Sequence, residues 1–535
     1  MLLHKTFSAS RFFAVSCTLL VFSAAGLAQS SPERAAARTA TPEERTARAF
    51  DAARANPLAL RAFLFRMPKG ADLHYHLTGG VYAESWIRAS VEDNLCVNLS
   101  TLSFAKPTAP ADGSSAQPAC AAGQAPAAQA FKDQHLYDAL IDSFSMRSFV
   151  PFAGNSGHDH FFDTFAKFGG TDPRHIPEWL DEAATRAAAQ NEQYLELMET
   201  PDFTHAAMIA VTRGWNDDLQ QLREDLLAHG LRDDVAAASA HFDQAEASRR
   251  QLEHCGQPDA APACQVEIRF LYQVLRGLPK QVVFAQALLG FEVATADPRV
   301  VGINFVMPED GYTSMHDYAL HMRMVGFLHS QYPKVHITLH AGELAPGLVP
   351  YEGLCCHIRL AVEQAHAERI GHGVDVMYED SPYDLLKEMA AKHVMVEINL
   401  TSNDVILGIS GKSHPFPIYR QFHVPIALST DDEGVSRIDL THEFVRAVET
   451  YGLGYADLKN LVRTSLEHSF LPGVSLWRAE DNFARPVAAC AKDVLGGERS
   501  SSSCADFLQS SEKASEQWEL ERRFLAFEAA NSTTY

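Results

Sequence analysis

Short, apolar, β-rich segments recur along the middle of the chain. Eight such segments occur, and from the fourth onward helical patterns such as HDYALHMRMVGFLHSQY and IRLAVEQAHA separate them. Strands that alternate with helices predict an α/β fold, and eight of them predict a (β/α)8 TIM barrel. The predicted strands cover residues 69–77, 194–200, 266–274, 300–306, 334–343, 369–375, 394–403 and 424–433.

The segments outside this alternation predict additions to the barrel. Residues 29–66 are rich in Ala, Arg and Glu and predict a helical lead-in to a barrel that spans 67–477. The gaps after strands one and two are long, so insertions are expected there. The first, at about 94–148, contains a Pro/Ala/Gly/Ser-rich stretch. Residues 478–535 predict a C-terminal helical extension.

The N-terminus has the order of a secretory signal peptide. Lys5 and Arg11 precede an apolar run, and small residues follow it up to about residue 28. The run is too short and too rich in Ser and Ala to span a bilayer well. We therefore expect residues 1–28 to be removed and the protein to be secreted or periplasmic. The net charge of −22 argues against a nucleic acid or an anionic membrane as the main partner.

The cysteines support an oxidising compartment. Nine are present, and Cys17 falls in the predicted signal peptide. Local spacing around polar segments predicts three surface disulfides. The predicted pairs are Cys96 with Cys120, Cys255 with Cys264, and Cys490 with Cys504. Cys355 and Cys356 are adjacent, and their pairing stays open.

Polar side chains gather where the predicted strands end. In a (β/α)8 barrel the carboxyl ends of the strands meet at one mouth, where active sites form. Residues far apart in sequence should therefore converge there. These residues are His74 and His76 of the first strand, His340 and Glu343 of the fifth, His372 of the sixth, Asn403 of the seventh, and Asp431 and Asp432 of the eighth.

The stretch ADLHYHLTGG (residues 71–80) suggests half of a metal site. His74 and His76 are two residues apart, so both side chains can point to the same side of a strand. Imidazole nitrogen binds zinc, and a carboxylate can complete the shell, with His340 and Asp431 as the third and fourth ligands. Alone, two such histidines are more often ordinary turn residues. HAGE, GHG and TDD at the other strand ends favour the metal site.

Five motifs together resemble a known family. DLHYHLTGG, LHAGE, RIGHG, LTSN and LSTDDE, in that order, resemble the adenosine deaminase family of metal-dependent hydrolases, and within it the secreted adenosine deaminase growth factor branch. The resemblance implies hydrolytic deamination at purine C6 of adenosine or a related nucleoside, with an inosine-type product and ammonia. It implies a purine nucleoside as the partner, and it leaves a homodimer open.

The resemblance also implies a role for each residue of the constellation. It implies that Glu343 protonates the purine ring nitrogen, that His372 orients and deprotonates the attacking water, and that Asp432 holds the far side of the purine. A buried carboxyl can retain a proton for such a step. The implied ligands of one zinc ion per chain are His74, His76, His340 and Asp431.

Some residues depart from the family pattern. Met307 stands where a glycine is usual, Asn304 where Asp is common, and Thr78 where many members have Asp near the ribose. Sugar recognition is therefore expected to differ. The histidines of HDHFFDTFAKFGG (residues 158–170) open a predicted helix and are not expected to bind metal.

Two other functions compete with deamination. One is a different barrel amidohydrolase. The two-metal enzymes of that type often use a carboxylated lysine late in the barrel strands, and strands four to eight have no lysine at their C-terminal ends. The other is a non-catalytic, growth-factor-like binding protein. Loss of Glu343 or of a metal ligand would favour it, yet all of these residues are present.

Overall fold

A computed structural model describes residues 40–108 and 118–531. Within these residues, eight parallel strands form one sheet in sequential order, which confirms the predicted barrel. Each barrel strand is hydrogen-bonded to the next along the chain. The strands are β1 (Gly70–His76), β2 (Glu192–Glu199), β3 (Glu267–Leu275), β4 (Val300–Val306), β5 (His336–Ala341), β6 (Arg369–His372), β7 (Met395–Ile398) and β8 (Ile426–Leu428).

The barrel closes between its first and last strands at the metal-site motif. The amide of His76 donates to the Asp431 carbonyl at 3.0 Å, and the amide of Asp431 donates to the His74 carbonyl at 2.9 Å. The buried Asp72 carboxylate supports this closure because it accepts the amide and the hydroxyl of Thr430 at 3.1 and 2.6 Å. Closure and site assembly therefore occur at the same place.

Helices follow every strand and cover the outside of the barrel. All seven residues of β1 and all eight of β2 are buried, as expected for strands that have the barrel interior on one side and helices on the other. The helices of the barrel are Leu77–Gly80, Ala83–Glu92, Gln134–Ser143, Gly157–Lys167, Ile176–Ala189, Thr204–Arg213, Leu219–Ala228, Asp233–Leu252, Lys280–Ala296, Tyr312–His316, Tyr318–Gln331, His357–Glu363, Pro382–Ala391, Leu400–Leu407, Phe416–Gln421, Glu433–Ser436, Leu440–Tyr451 and Tyr455–Glu467.

The described parts of the segments predicted as additions contain helices and small sheets. Helices Pro42–Ala53 and Pro57–Arg66 form the lead-in, and Ser502–Gln509 and Glu512–Asn531 form the C-terminal extension. The two ends pack together, with the rings of Phe63 and Phe527 edge to face at 5.2 Å. The first insertion holds a small antiparallel sheet of strands Cys96–Asn98, Ser103–Ala105 and Gln124–Pro126, and a hairpin of Trp477–Ala479 and Asn482–Pro486 follows the barrel.

The structure contains the three predicted disulfides and one more. Cys96–Cys120, Cys255–Cys264 and Cys490–Cys504 are bonded, which confirms their pairing, and Cys355 bonds to its neighbour Cys356. In the described part of the chain, each helix is too short or too polar to cross a bilayer. The predicted signal peptide lies outside the described residues.

The last four strands are shorter than predicted, and the seventh and eighth differ most. The seventh was predicted over 394–403, yet the strand ends at Ile398 and Asn403 lies in the helix that begins at Leu400. The eighth was predicted over 424–433 and ends at Leu428, so Asp431 and Asp432 follow it in a turn. Both predicted strands ran on into the motifs LTSN and STDDE, because sequence pattern does not distinguish a strand end from the buried first turn of a helix.

Candidate functional site

The polar strand ends converge on one mouth, as predicted. His74 and His76 end β1, His340 lies near the end of β5, and His372 ends β6. Glu343 follows β5 by two residues. His74, His340, His372 and Asp431 form one buried group of potential ligands, and His76, Asp431 and Asp432 form an overlapping one.

The four predicted ligands have a separation that suits one ion. Nε2 of His340 lies 3.1 Å from Nε2 of His74 and 3.1 Å from Nε2 of His76. Oδ1 of Asp431 lies 3.2 and 3.3 Å from the same two nitrogens and is buried, with no hydrogen-bond partner assigned to it within residues 40–108 and 118–531. Four donors at about 2.0–2.2 Å around a tetrahedral zinc are about 3.3 Å apart. The residues therefore fit a zinc ion.

Each of the three histidines uses its other ring nitrogen to hold its orientation. Nδ1 of His74 lies 2.5 Å from Oε2 of Glu397, Nδ1 of His76 lies 2.7 Å from Oε1 of Gln273, and Nδ1 of His340 lies 2.9 Å from Oδ1 of Asn304. A proton on each Nδ1 leaves each Nε2 free as a lone-pair donor. Such partners are the usual support of histidine ligands. No sequence pattern predicted this role for Glu397, Gln273 or Asn304.

Glu397 belongs to a buried charge network beneath the site. Arg369 donates to Oε1 of Glu397 at 2.7 Å and to Glu196 at 2.6 Å, and all three side chains are fully buried. Burial opposes the ionisation of Glu397, but Arg369 and His74 outweigh it and lower its pKa to about 2. His74 therefore faces a permanent carboxylate, which makes its imidazole more basic.

Glu343 lies beside the cluster in an environment that keeps its carboxyl protonated. Burial raises its pKa well above the usual range, and the nearby Asp431 and Glu309 add to the effect. The Glu309 carboxylate accepts the amides of Gly342 and Glu343 at 3.0 and 2.9 Å and so fixes the HAGE turn. His357 in turn donates to Glu309 at 2.5 Å. The HAGE turn thus fixes the position of Glu343, and burial favours the neutral form of its carboxyl, which can donate a proton.

His372 presents a buried imidazole that stays neutral. Its Nδ1 lies 2.9 Å from Nδ2 of Asn403 and 3.6 Å from Oε1 of Glu343, while its Nε2 is buried without a partner among the described residues. Burial lowers the pKa of His372 to about 3. Its φ of 69° is unusual for a residue other than glycine, as expected where function determines backbone geometry.

The side chain of Asp432 lines the mouth of the barrel and lies against the glycines of the first motif. A Cβ at Gly79 would lie 1.5 Å from Oδ1 of Asp432, so only glycine permits this approach. Burial raises the pKa of Asp432 to about 7, and the Asp431 carboxylate contributes. Oδ1 of Asp432 has no hydrogen-bond partner among the described residues. This carboxyl is therefore available to a ligand.

A cavity of about 490 Å³ opens above these groups. The helix Gly157–Lys167 supplies an apolar wall, and Met307 and Thr78 lie on the rim. No Lys or Arg is among its lining residues in the described part of the chain. The lining consists of His76, Thr78, Phe161, Phe162, Phe165, Ala166, Gln273, Leu275, Val306, Met307, Pro308, His340, Glu343, His372, Asp431 and Asp432. Its volume is typical of small-molecule sites.

The residues that depart from the family pattern have clear positions. Asn304 is the support of His340 described above. Met307 has a φ of 87°, a backbone conformation more usual for glycine. Its methyl group packs against Gly277, where an added Cβ would lie 2.7 Å from it. His158 and His160 lie outside the cluster, and Nε2 of His158 is 3.0 Å from Oδ1 of Asp310.

Comparison with known proteins identifies the family. The pattern of the family described as adenosine deaminase matches residues 178–476, more than half of the chain. This chain therefore belongs to the adenosine deaminase family. The growth factor branch stays a prediction.

Individual relatives match a shorter segment. The adenosine deaminase of Clostridium perfringens is 35% identical over 135 residues, which is 25% of this chain and 37% of the relative. That of Shewanella loihica is 33% identical over 136 residues, or 25% of this chain and 38% of the relative. The chain thus spans less than two fifths of the length of these curated relatives.

Solved structures are similar over most of the chain. An adenine deaminase from Arthrobacter aurescens has a TM-score of 0.46 at 15% identity and covers 76% of this chain and 94% of its own. The N6-methyl-AMP deaminase from Arabidopsis thaliana has a TM-score of 0.46 at 19% identity and covers 77% and 94%.

Proposed function

We propose that this protein is a zinc-dependent hydrolase that deaminates adenosine or a related purine nucleoside. One observation carries the proposal: the buried Glu343 carboxyl lies beside a four-donor cluster at the floor of an open cavity. Family membership supports the same chemistry. One zinc ion per chain would be held by His74, His76, His340 and Asp431, and when bound it would activate water as a Lewis acid.

The side chains divide the proton transfers between them. Attack at purine C6 places electron density on the adjacent ring nitrogen, to which Glu343 gives its proton. His372, kept neutral by burial, orients the attacking water and takes its proton. Asp432 accepts a hydrogen bond from the far side of the purine. The apolar cavity wall excludes bulk water from the ring.

Substitution of Glu343 tests the proposal. Glu343→Gln keeps the size of the side chain and removes its titratable proton, so ammonia release from adenosine should fall by about 10²–10⁴. Zinc content and nucleoside binding should change far less, because Glu343 is not a proposed ligand. Glu352→Gln, on the exposed part of the same loop, serves as the matched control. Near wild-type turnover in Glu343→Gln would contradict the mechanism, and loss of zinc would place Glu343 in the metal shell.

We also propose that the protein is exported through its N-terminal segment. Four disulfides in the described residues support an oxidising compartment. N-terminal sequencing of protein from the native host should find a mature chain that begins near residue 29. A cytosolic protein that retains residue 1 would contradict export.

A further inference from the structure

An unusual disulfide lies next to the proposed active site. Cys355 and Cys356, adjacent in sequence, are bonded in the loop between β5 and helix His357–Glu363. Both residues are partly exposed. Because this bond encloses no chain segment, it gains almost nothing from restricting a loop of the unfolded chain. It also holds Cys356 at a φ of 115°, which residues with a side chain avoid. A disulfide in this position serves stability poorly.

A buried carboxyl group faces the two sulfurs. A carboxylate oxygen of Glu379 lies within 4.8 Å of both, and the residue is only 4% exposed. Its Oε1 accepts the amides of Ile358 and Arg359 at 2.7 and 3.3 Å, whereas its buried Oε2 has no partner among the described residues. Burial raises the pKa of Glu379 and Glu309 contributes, while the amides of Arg359 and Ile358 and the charge of Arg359 oppose them, so that the pKa is about 7. The group can therefore donate a proton near neutral pH.

We propose that Cys355–Cys356 is a thiol–disulfide exchange site, reduced by a small thiol, with Glu379 as the proton donor. The thiolate of the reductant attacks one sulfur, the S–S bond breaks, and the departing cysteine sulfur takes the Glu379 proton. A second thiolate attacks the mixed disulfide and releases the other cysteine as a thiolate, and the two protons that the external thiols gave up on ionising return from solvent to this thiolate and to Glu379. Two external thiols are oxidised to one disulfide, and the protein gains two electrons and two protons.

The state of this bond can affect Glu343 through His357 and Glu309. His357 directly follows Cys356, and its Nδ1 donates to Oε1 of Glu309 at 2.5 Å. Glu309 holds the amides of Gly342 and Glu343. Reduction frees the backbone of Cys356, and the first turn of the following helix can then shift His357. The HAGE turn would lose its support, so the reduced protein should turn over more slowly.

Another disulfide of this chain provides an internal control. Cys255–Cys264 is also partly exposed and has Glu253 within 4.8 Å of its sulfurs. Here, however, Arg249 donates to both oxygens of Glu253 at 2.9 and 3.1 Å, so this carboxylate is ion-paired. The bond also spans a sequence separation of 9 residues, which gives it a loop to restrict. It should be reduced later and without effect on turnover.

A thiol titration of the zinc-loaded full-length protein tests the proposal. Samples in graded reduced glutathione are alkylated, the reduced fraction of each disulfide is measured by peptide mass spectrometry, and ammonia release and zinc content are measured in parallel. Cys355–Cys356 should be reduced first, and Glu379→Gln should slow its reduction at least about tenfold. Turnover should fall several-fold with zinc retained, and reoxidation should restore it. The Cys255→Ser/Cys264→Ser variant should respond like the wild type.

Each contrary outcome overturns a definite part of the proposal. Reduction of Cys355–Cys356 no earlier than Cys255–Cys264, or at the wild-type rate in Glu379→Gln, removes the exchange site. A thiol-induced loss of turnover that persists in Cys355→Ser/Cys356→Ser removes the link to Glu343. Only the activity measurement rests on the proposed function. If neither redox state releases ammonia, the deaminase proposal fails while the order of alkylation still decides the exchange site.

Discussion

Oε2 of Glu397 lies 2.5 Å from Nδ1 of His74, and both side chains are completely buried. The contact leaves Nε2 of His74 facing the other donors with its lone pair. Glu397→Gln removes the charge and keeps the shape, so zinc affinity should fall about 10–100-fold. Competition with a fluorescent chelator measures this. Glu368→Gln, which loses a contact to the half-exposed His336, should have wild-type affinity. Equal affinities in the two variants would show that the carboxylate does not tune the site.

Asn304 should support His340 by accepting a hydrogen bond, not by its charge. Asn304→Leu removes the acceptor 2.9 Å from Nδ1 of His340, so zinc should be lost to a chelator about tenfold faster. Asn304→Asp restores an acceptor and adds a charge, so zinc loss should be as slow as in the wild type or slower. Stopped-flow chelation gives both rates. A fast Asn304→Asp variant would contradict this role.

Gly79 should control the placement of Asp432. In Gly79→Ala the new methyl group would lie 1.5 Å from Oδ1 of Asp432, so this carboxyl must move. We expect KM for the nucleoside to rise at least about tenfold, the cost of one hydrogen bond to a charged group, with zinc retained. Gly169→Ala, whose Cβ would have its nearest neighbour at 3.9 Å, is the control. Unchanged steady-state kinetics in Gly79→Ala would refute the placement.

Glu443 should make folding stability depend on pH. Burial raises its pKa to about 7, above the usual 4.5, and it accepts hydrogen bonds from the amide and hydroxyl of Thr401. Below pH 4.5 the carboxyl is neutral in both the folded and unfolded states and costs nothing. As pH rises from about 4.5 to about 7, the carboxyl ionises in the unfolded chain but stays neutral in the folded protein, so the folded state is penalised by up to about 3 kcal/mol, and this penalty persists at higher pH.

Glu443→Gln should therefore stabilise the protein at pH 8 by up to that amount. At pH 4.5 its free energy of unfolding should match the wild type. Urea unfolding at the two pH values measures the difference. An equal effect of the substitution at both pH values would mean that Glu443 does not titrate in this range.

The sequence predicted the barrel because its strands are short, apolar and separated by helical patterns, and it brought His74, His76, His340 and Asp431 to one mouth although Asp431 follows its strand. It did not reveal Glu397 as a partner of His74, because 323 positions separate the two residues and Glu397 resembles any polar residue in a strand. Asn403 was misplaced in a strand. It still reaches His372 because the helix begins directly at the mouth.

The barrel closure has a consequence for when metal can be acquired. The first strand supplies two donor side chains and the turn after the last strand supplies another, and the backbone of Asp431 pairs with both histidines of β1. During synthesis the four donors cannot meet until residue 431 has left the ribosome and the ring has closed. Metal loading is therefore a late event that reports a completed fold. The ion must come from the pool of the compartment in which the chain finishes folding, whichever compartment made it.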